Sequence, residues 1–260
     1  MKTTMLSNYR QVRCLTLALL GISKAALVQS LCTSATFQNI TLFGGKLLQT
    51  ETQTYTGLSF NVAAAENHYA KNVTNLDICE VIITYTHPGY NDTINTVVWL
   101  PASRNWTGRL LGAGGGGFVA GAKTNATLAW AASEGFAVVS TDGGHAADVA
   151  MDMEKWAFSS GHVDWIQLQD WASTALDDAA TLGKAVAHAF YGQAPTHSYF
   201  NGCSTGGRQG YQMAQKYPAQ YDGILASAPT IYWNEFIMEM FWPQAVMKDL
   251  GTYFMADAKS

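Results

Sequence analysis

The spacing of apolar and polar positions changes rhythm along the chain. From Phe37 to Asn95 the sequence is polar and rich in Thr and Asn, with short β-type runs such as Val81-Ile82-Ile83. That pattern predicts short strands joined by long turns. After Asn95 the rhythm becomes strand, loop, helix. Thr96–Leu100, Arg109–Leu111, Gly135–Ser140, Ser198–Asn201 and Gly223–Ala228 read as strands. Leu168, Trp171, Ala175, Ala179, Leu182, Val186 and Phe190 step by three or four residues, which puts them on one face of a helix that Gly192 stops. Gly206–Tyr217 reads as a second helix, closed by Pro218. Strands alternating with helices through short links predict an α/β fold, a mostly parallel sheet covered on both faces. The last thirty residues, rich in Met, Trp and Phe, read as the opening of a further element.

Composition sharpens the setting. Charged residues make up 13% of the 260 and the net charge is −4. The charged share is about half of what soluble chains usually carry, and no basic footprint invites nucleic acid. Lys2, Arg10 and Arg13 precede the apolar run Cys14–Ile22, which Lys24 closes. This is the length and layout of an export signal, too short to span a bilayer. Residues 1–28 are therefore expected to be removed on secretion, with cleavage between Ala25 and Ser30; a buried N-terminal helix is the alternative. No later stretch has the length of a membrane span. Glycosylation sequons begin at Asn39, Asn72, Asn91, Asn105 and Asn125, against about one or two expected by chance. Glycans at these positions would explain the thin charge content. An extracellular protein with Cys14 gone keeps Cys32, Cys79 and Cys203, an odd number for an oxidising compartment.

The chemistry centres on Gly202-Cys203-Ser204-Thr205-Gly206, a G-x-S-x-G pattern with a strand before it and a helix after it. A serine raised on such a tight strand-to-helix turn has its Oγ clear of the sheet; without that context the pattern is only a glycine-rich turn. Ester hydrolysis also needs donors for an oxyanion. The backbone N–H of Thr205 is one candidate, and Gly115 or Gly116 in the run Gly114–Gly117 is the other. Gly112, Gly114 and Gly117 also fit G-x-G-x-x-G, with Glu134 further on. A dinucleotide site is disfavoured because Lys123, Thr124 and the Asn125 sequon stand where its helix should continue. His68, His87, His145, His162, His188 and His197 all precede Ser204, so a Ser–acid–His order cannot be completed here. The acids that follow Ser204 are Asp222, Glu235, Glu239, Asp249 and Asp257. Asp222 enters a strand, at the wrong end of the sheet. His145 follows a strand end and is read as a loop histidine bonded to backbone; His188 and His197 are read as structural. No spacing suggests zinc.

The segment Gly202-Cys203-Ser204-Thr205-Gly206-Gly207-Arg208-Gln209-Gly210 resembles the elbow of the tannase and feruloyl esterase family. The likeness extends to Thr141-Asp142-Gly143-Gly144-His145 and Phe190-Tyr191-Gly192, and downstream to Tyr221–Ala226 and Ala228-Pro229. The resemblance implies a secreted α/β hydrolase whose residues 29–230 are the N-terminal part of the catalytic domain and whose residues 231–260 begin an inserted lid. It implies Ser204 as nucleophile, with the triad aspartate and histidine outside these residues. It also implies that Cys203 pairs with a cysteine beside that histidine. Cys32 and Cys79 are then expected to pair with each other. A structural calcium is implied in the lid, with no ligands in this chain and no cofactor needed for the chemistry. Small aromatic esters, feruloyl or galloyl, or phenolics linked to plant polysaccharide are the implied substrates, with no nucleic-acid or membrane partner. A non-catalytic secreted glycoprotein binding phenolic or glycan ligands is the alternative. On the first reading this chain by itself is expected to be nearly inactive.

Overall fold

The computed structural model describes residues 31–252 apart from 66 and 123, so the expected export signal lies outside the described residues. Seven strands form one sheet: β1 (Lys46–Val62), β2 (Lys71–Thr86), β3 (Ile94–Pro101), β4 (Arg109–Ala113), β5 (Phe136–Thr141), β8 (His197–Cys203) and β9 (Gly223–Ser227), in the order β1-β2-β3-β5-β4-β8-β9. β6 (Phe158–Ser159) and β7 (His162–Val163) make a separate small hairpin. The four strands β5-β4-β8-β9 run parallel, as the alternating pattern predicts, while β1, β2 and β3 add an antiparallel wing.

That wing corrects the expectation for Phe37–Asn95. Its short runs are parts of two long strands, 17 and 16 residues, paired along nearly their whole length. Thr-rich polar sequence fits there because β1 is an edge strand with little burial, so alternation rather than bulk apolarity marks it. The N-terminal segment is tied down by a disulfide between Cys32 and Cys79, the expected pair, leaving Cys203 without a partner among the described residues. At a sequence separation of 47, the loop-entropy relation gives about 4 kcal/mol.

Helices cover both faces. Period-two alternation sends neighbours in one strand to different cores: Val139 and Leu110 face one layer, Val138 and Leu111 the other. The first core is closed by α3 (Ala175–Tyr191) through Ala175, Ala179, Leu182, Val186 and Phe190, the stripe read from sequence. Gly192 ends this helix at φ 72°, its N–H bonded to His188 O at 2.9 Å. The stripe is not one helix throughout. α2 (Trp165–Gln169) passes into α3 through a π turn, Asp170–Thr174. The second core is closed by α1 (Asn125–Ser133), which buries Leu128, Ala129, Ala131 and Ala132. The sequence reading placed no helix there, because alanine-rich turns carry little apolar contrast between faces. α4 (Thr205–Lys216) packs on β8 and β9, and α5 (Trp233–Asp249) follows with none of its residues buried. Among the described residues no helix is long and apolar enough to cross a membrane.

Candidate active site

Ser204 stands between β8 and α4 at φ 60°, ψ −116°, a backbone region that costs a side-chain-bearing residue about 1–3 kcal/mol. Three backbone hydrogen bonds hold it there. Its N–H donates to Ser227 O at 3.1 Å, and its carbonyl accepts from Arg208 N at 3.0 Å and Thr230 N at 3.3 Å. The turn also needs its glycines. A Cβ on Gly202 would lie 2.5 Å from the Gly206 carbonyl carbon, closer than packed atoms approach. Thr205 is the first residue of α4, and its N–H has no acceptor among the described residues, as expected for a first-turn amide.

The glycine run leaves β4 and passes under the start of α4. Gly114 N donates to Asn201 O at 2.9 Å, and Gly206 N donates to Gly115 O at 3.0 Å. The Thr205 hydroxyl donates to Gly117 O. Gln209, fully buried, spans the loop: its Oε1 accepts from Gly115 N at 2.9 Å and its Nε2 donates to Ala120 O at 2.7 Å. The sequence reading quoted Gln209 in the family segment without giving it a role. Its position one helical turn beyond Thr205 was the available signal. Gly116 N donates to Val119 O at 3.1 Å, so both loop glycines nominated as oxyanion donors already hold a partner.

Ser204, Gly114, Gly115 and Gly116 line one cavity of about 240 Å³ together with Asn67, His68 and Thr127. His68 had no role in the sequence reading. It stacks on Trp130 at 5.3 Å, and no hydrogen bond joins it to Ser204. His145 lies elsewhere, in a neighbouring cavity of about 420 Å³ with Asp142, Thr141 and Asn95. Its Nε2 contacts Phe118 O at 2.8 Å and its ring stacks on Trp156 at 4.0 Å, so it is a backbone-bonded loop histidine. Burial holds its pKa below the usual imidazole value. Asp222 accepts from Ser198 N at 2.7 Å, at the start of β8 and away from Ser204. The helix after the glycine run does exist, contrary to the ground given against a dinucleotide site. The loop before it is filled by Gln209 and the first turn of α4 instead.

Arg208 is half-buried between Trp171 and Trp233, with its guanidinium carbon 4.4 Å and 6.0 Å from their ring centres. Burial brings its pKa down to about 10. A second polar cluster lies at the end of β2. His87 Nδ1 meets Asp92 at 2.5 Å, its Nε2 meets Asp178 at 3.2 Å, and the Tyr85 hydroxyl donates to Asp178 at 3.1 Å. Burial and the Asp92 charge push Asp170 up to about 7, and burial pushes Asp178 up to about 6.

A mixed sheet with a parallel half in this order, and a strained serine lifted between strand and helix, is the α/β-hydrolase architecture. The profile described as "Tannase and feruloyl esterase" matches residues 79–259. The chain belongs to that family. It is 44% identical over 180 residues to a probable feruloyl esterase of Arthroderma benhamiae, covering 69% of this chain and 33% of that protein. It is 39% identical over 153 residues to feruloyl esterase B of Aspergillus niger, covering 59% and 27%. Among solved structures, the tannin acyl hydrolase from Aspergillus niger superposes with a TM-score of 0.74 at 25% identity, over 87% of this chain and 42% of that one. Feruloyl esterase B from Aspergillus oryzae gives 0.59 at 28% identity, over 80% and 38%. The chain thus spans about a third of the length of the curated relatives it matches.

Proposed function

We propose that this chain is the nucleophile-bearing part of a secreted serine carboxylic-ester hydrolase acting on phenolic acid esters of the feruloyl or galloyl type. The observation that carries the reading is Ser204, held in a strained turn and lining one cavity with the glycine loop. Ser204 Oγ attacks the ester carbonyl carbon, the alcohol leaves from the tetrahedral intermediate, and water then releases the acid from the acyl-serine. The proton of Ser204 passes to a histidine backed by an aspartate, both supplied from outside these residues. The open N–H of Thr205 donates to the oxyanion. The second donor is Gly115 or Gly116, and either must share or turn an N–H now bonded to Gln209 or Val119.

Secretion is supported by the Cys32–Cys79 disulfide and by the exposure of Asn39, Asn72, Asn91, Asn105 and Asn125, which leaves every sequon open to a glycan. Cys203, without a partner among the described residues and beside the nucleophile, is the proposed partner of a cysteine next to the catalytic histidine. The lid and its calcium are carried as a proposal about residues 231 onward. None of the described residues there joins a ligand cluster, so no step above uses the ion. In the full-length protein Ser204→Ala should lower hydrolysis of methyl ferulate or methyl gallate by several orders of magnitude while ligand binding and the melting temperature persist. Unchanged turnover would remove Ser204 from the mechanism.

A further inference from the structure

We propose that His87, Asp92 and Asp170 form a binding site for one divalent transition-metal ion, with zinc as the fitting type. The site lies in the sheet domain, between the loop after β2 and the π turn before α3, well before the segment to which the lid calcium is assigned. The three residues offer one imidazole nitrogen and two carboxylate oxygens, all within 4.8 Å of one another. Asp170 is 2% exposed, and its Oδ2 accepts no hydrogen bond among the described residues. A buried carboxylate oxygen left without a partner is costly, and a cation is one way to satisfy it.

The surroundings are those of a metal site with its outer layer in place. His87 presents Nδ1 toward Asp92, while its other nitrogen is 3.2 Å from Asp178, whose same oxygen accepts from the Tyr85 hydroxyl at 3.1 Å. A carboxylate near the second ring nitrogen stands where the outer partner of a ligating histidine is usually found. Asp92 is steered in the same manner: its Oδ1 accepts from the Thr86 hydroxyl at 2.7 Å and the His87 N–H at 2.8 Å, leaving Oδ2 for the site. The π turn contributes as well. Positions eight apart in an unbroken α-helix point about 80° apart. The wider turn at Asp170–Thr174 closes that gap, so Asp170 and Asp178 face the same imidazole.

Charge favours a cation here. Three carboxylates gather here, and among the described residues no lysine or arginine is paired with any of them. The donor set argues for the type: imidazole with carboxylate suits zinc and its neighbours, whereas calcium takes six to eight oxygens. His87 Nδ1 and the Asp92 oxygen lie 2.5 Å apart, joined by one hydrogen bond. Two ligands of a tetrahedral zinc stand roughly 3.4 Å apart, so the ion would displace the proton of that bond to solvent and open the pair by about 1 Å.

The test uses the full-length secreted protein, stripped with a chelator, loaded with zinc chloride and passed through gel filtration. Elemental analysis should find one retained zinc per chain and a melting temperature several degrees above the stripped form. Asp170→Asn should lose both effects while melting no lower than the wild type without metal, since it removes an uncompensated acid. Wild-type protein that is not stabilised by zinc, or Asp170→Asn that retains zinc equally, would overturn the proposal. Anomalous scattering at the zinc edge from wild-type crystals reads the site without any variant. A peak between His87 Nδ1 and Asp170 supports it, and zinc-soaked crystals lacking that peak refute it.

Discussion

Replacing Gln209 with leucine removes the buried side-chain bridge between the glycine loop and the elbow helix while leaving the Gly206 and Thr205 bonds to that loop in place. The substitution keeps size but removes an acceptor for Gly115 N–H and a donor for Ala120 C=O, both made by a side chain with no solvent exposure. Each buried group left unpaired costs about 1–3 kcal/mol. Ala120 is 1% exposed and has no access to water, so its carbonyl bears the upper part of that range, while Gly115 is half-buried and lines the Ser204 cavity. The expected loss is therefore about 2–4 kcal/mol, read as a lower midpoint in equilibrium urea unfolding with the slope unchanged. Gln209→Glu separates the two bonds. Its carboxylate still accepts from Gly115 but can donate to Ala120 only when protonated, so folding raises the pKa of the introduced acid. The folded state then binds the proton more tightly, and the variant's deficit should grow as pH rises from the ordinary glutamate range toward neutrality. A Gln209→Leu stability within about 0.5 kcal/mol of wild type, the usual range for surface changes, would refute the account of the loop.

Ser204→Gly should be more stable than Ser204→Ala by about 1–2 kcal/mol, because only glycine is relieved of the φ 60° strain; equal midpoints would mean the turn holds no strain. Replacing Cys32 and Cys79 together by alanine should cost about 4 kcal/mol. Non-reducing peptide mapping should find the Cys32–Cys79 link, and a dominant Cys79–Cys203 link would contradict the pairing. Enzymatic deglycosylation of the secreted protein should lower its mass by several glycans; an unchanged mass would remove glycosylation at Asn39, Asn72, Asn91, Asn105 and Asn125 from the secretion argument.

The elements after Asn95 were legible because each signal is local. Strand–helix alternation marks β4, β5, β8 and β9, the Leu168–Phe190 stripe marks α3, and glycines on both sides of Ser204 mark a turn that a side chain would block. Segments with weak local contrast were misread. β1 and β2 are long, and their Thr- and Asn-rich sequence gives little apolar contrast, although they pair as consecutive strands. α1 is alanine-rich, and the π turn hides inside a helical rhythm. The candidate site divides along the same line. Ser204 and Thr205 come from one contiguous segment and were read directly. Placing the glycine loop against them, about ninety residues away, rests on Gln209 and on bonds from Gly206 and Thr205 to the loop carbonyls. The cluster of His87, Asp92 and Asp170 joins positions up to 83 apart that share no spacing. Sequence alone determined which short segments turn, alternate or coil, because those choices depend on sterics and periodicity within a few residues. Only the tertiary structure decided which buried polar atoms meet. That depends on sheet order and helix docking, which bring together side chains that carry no mark of one another along the chain.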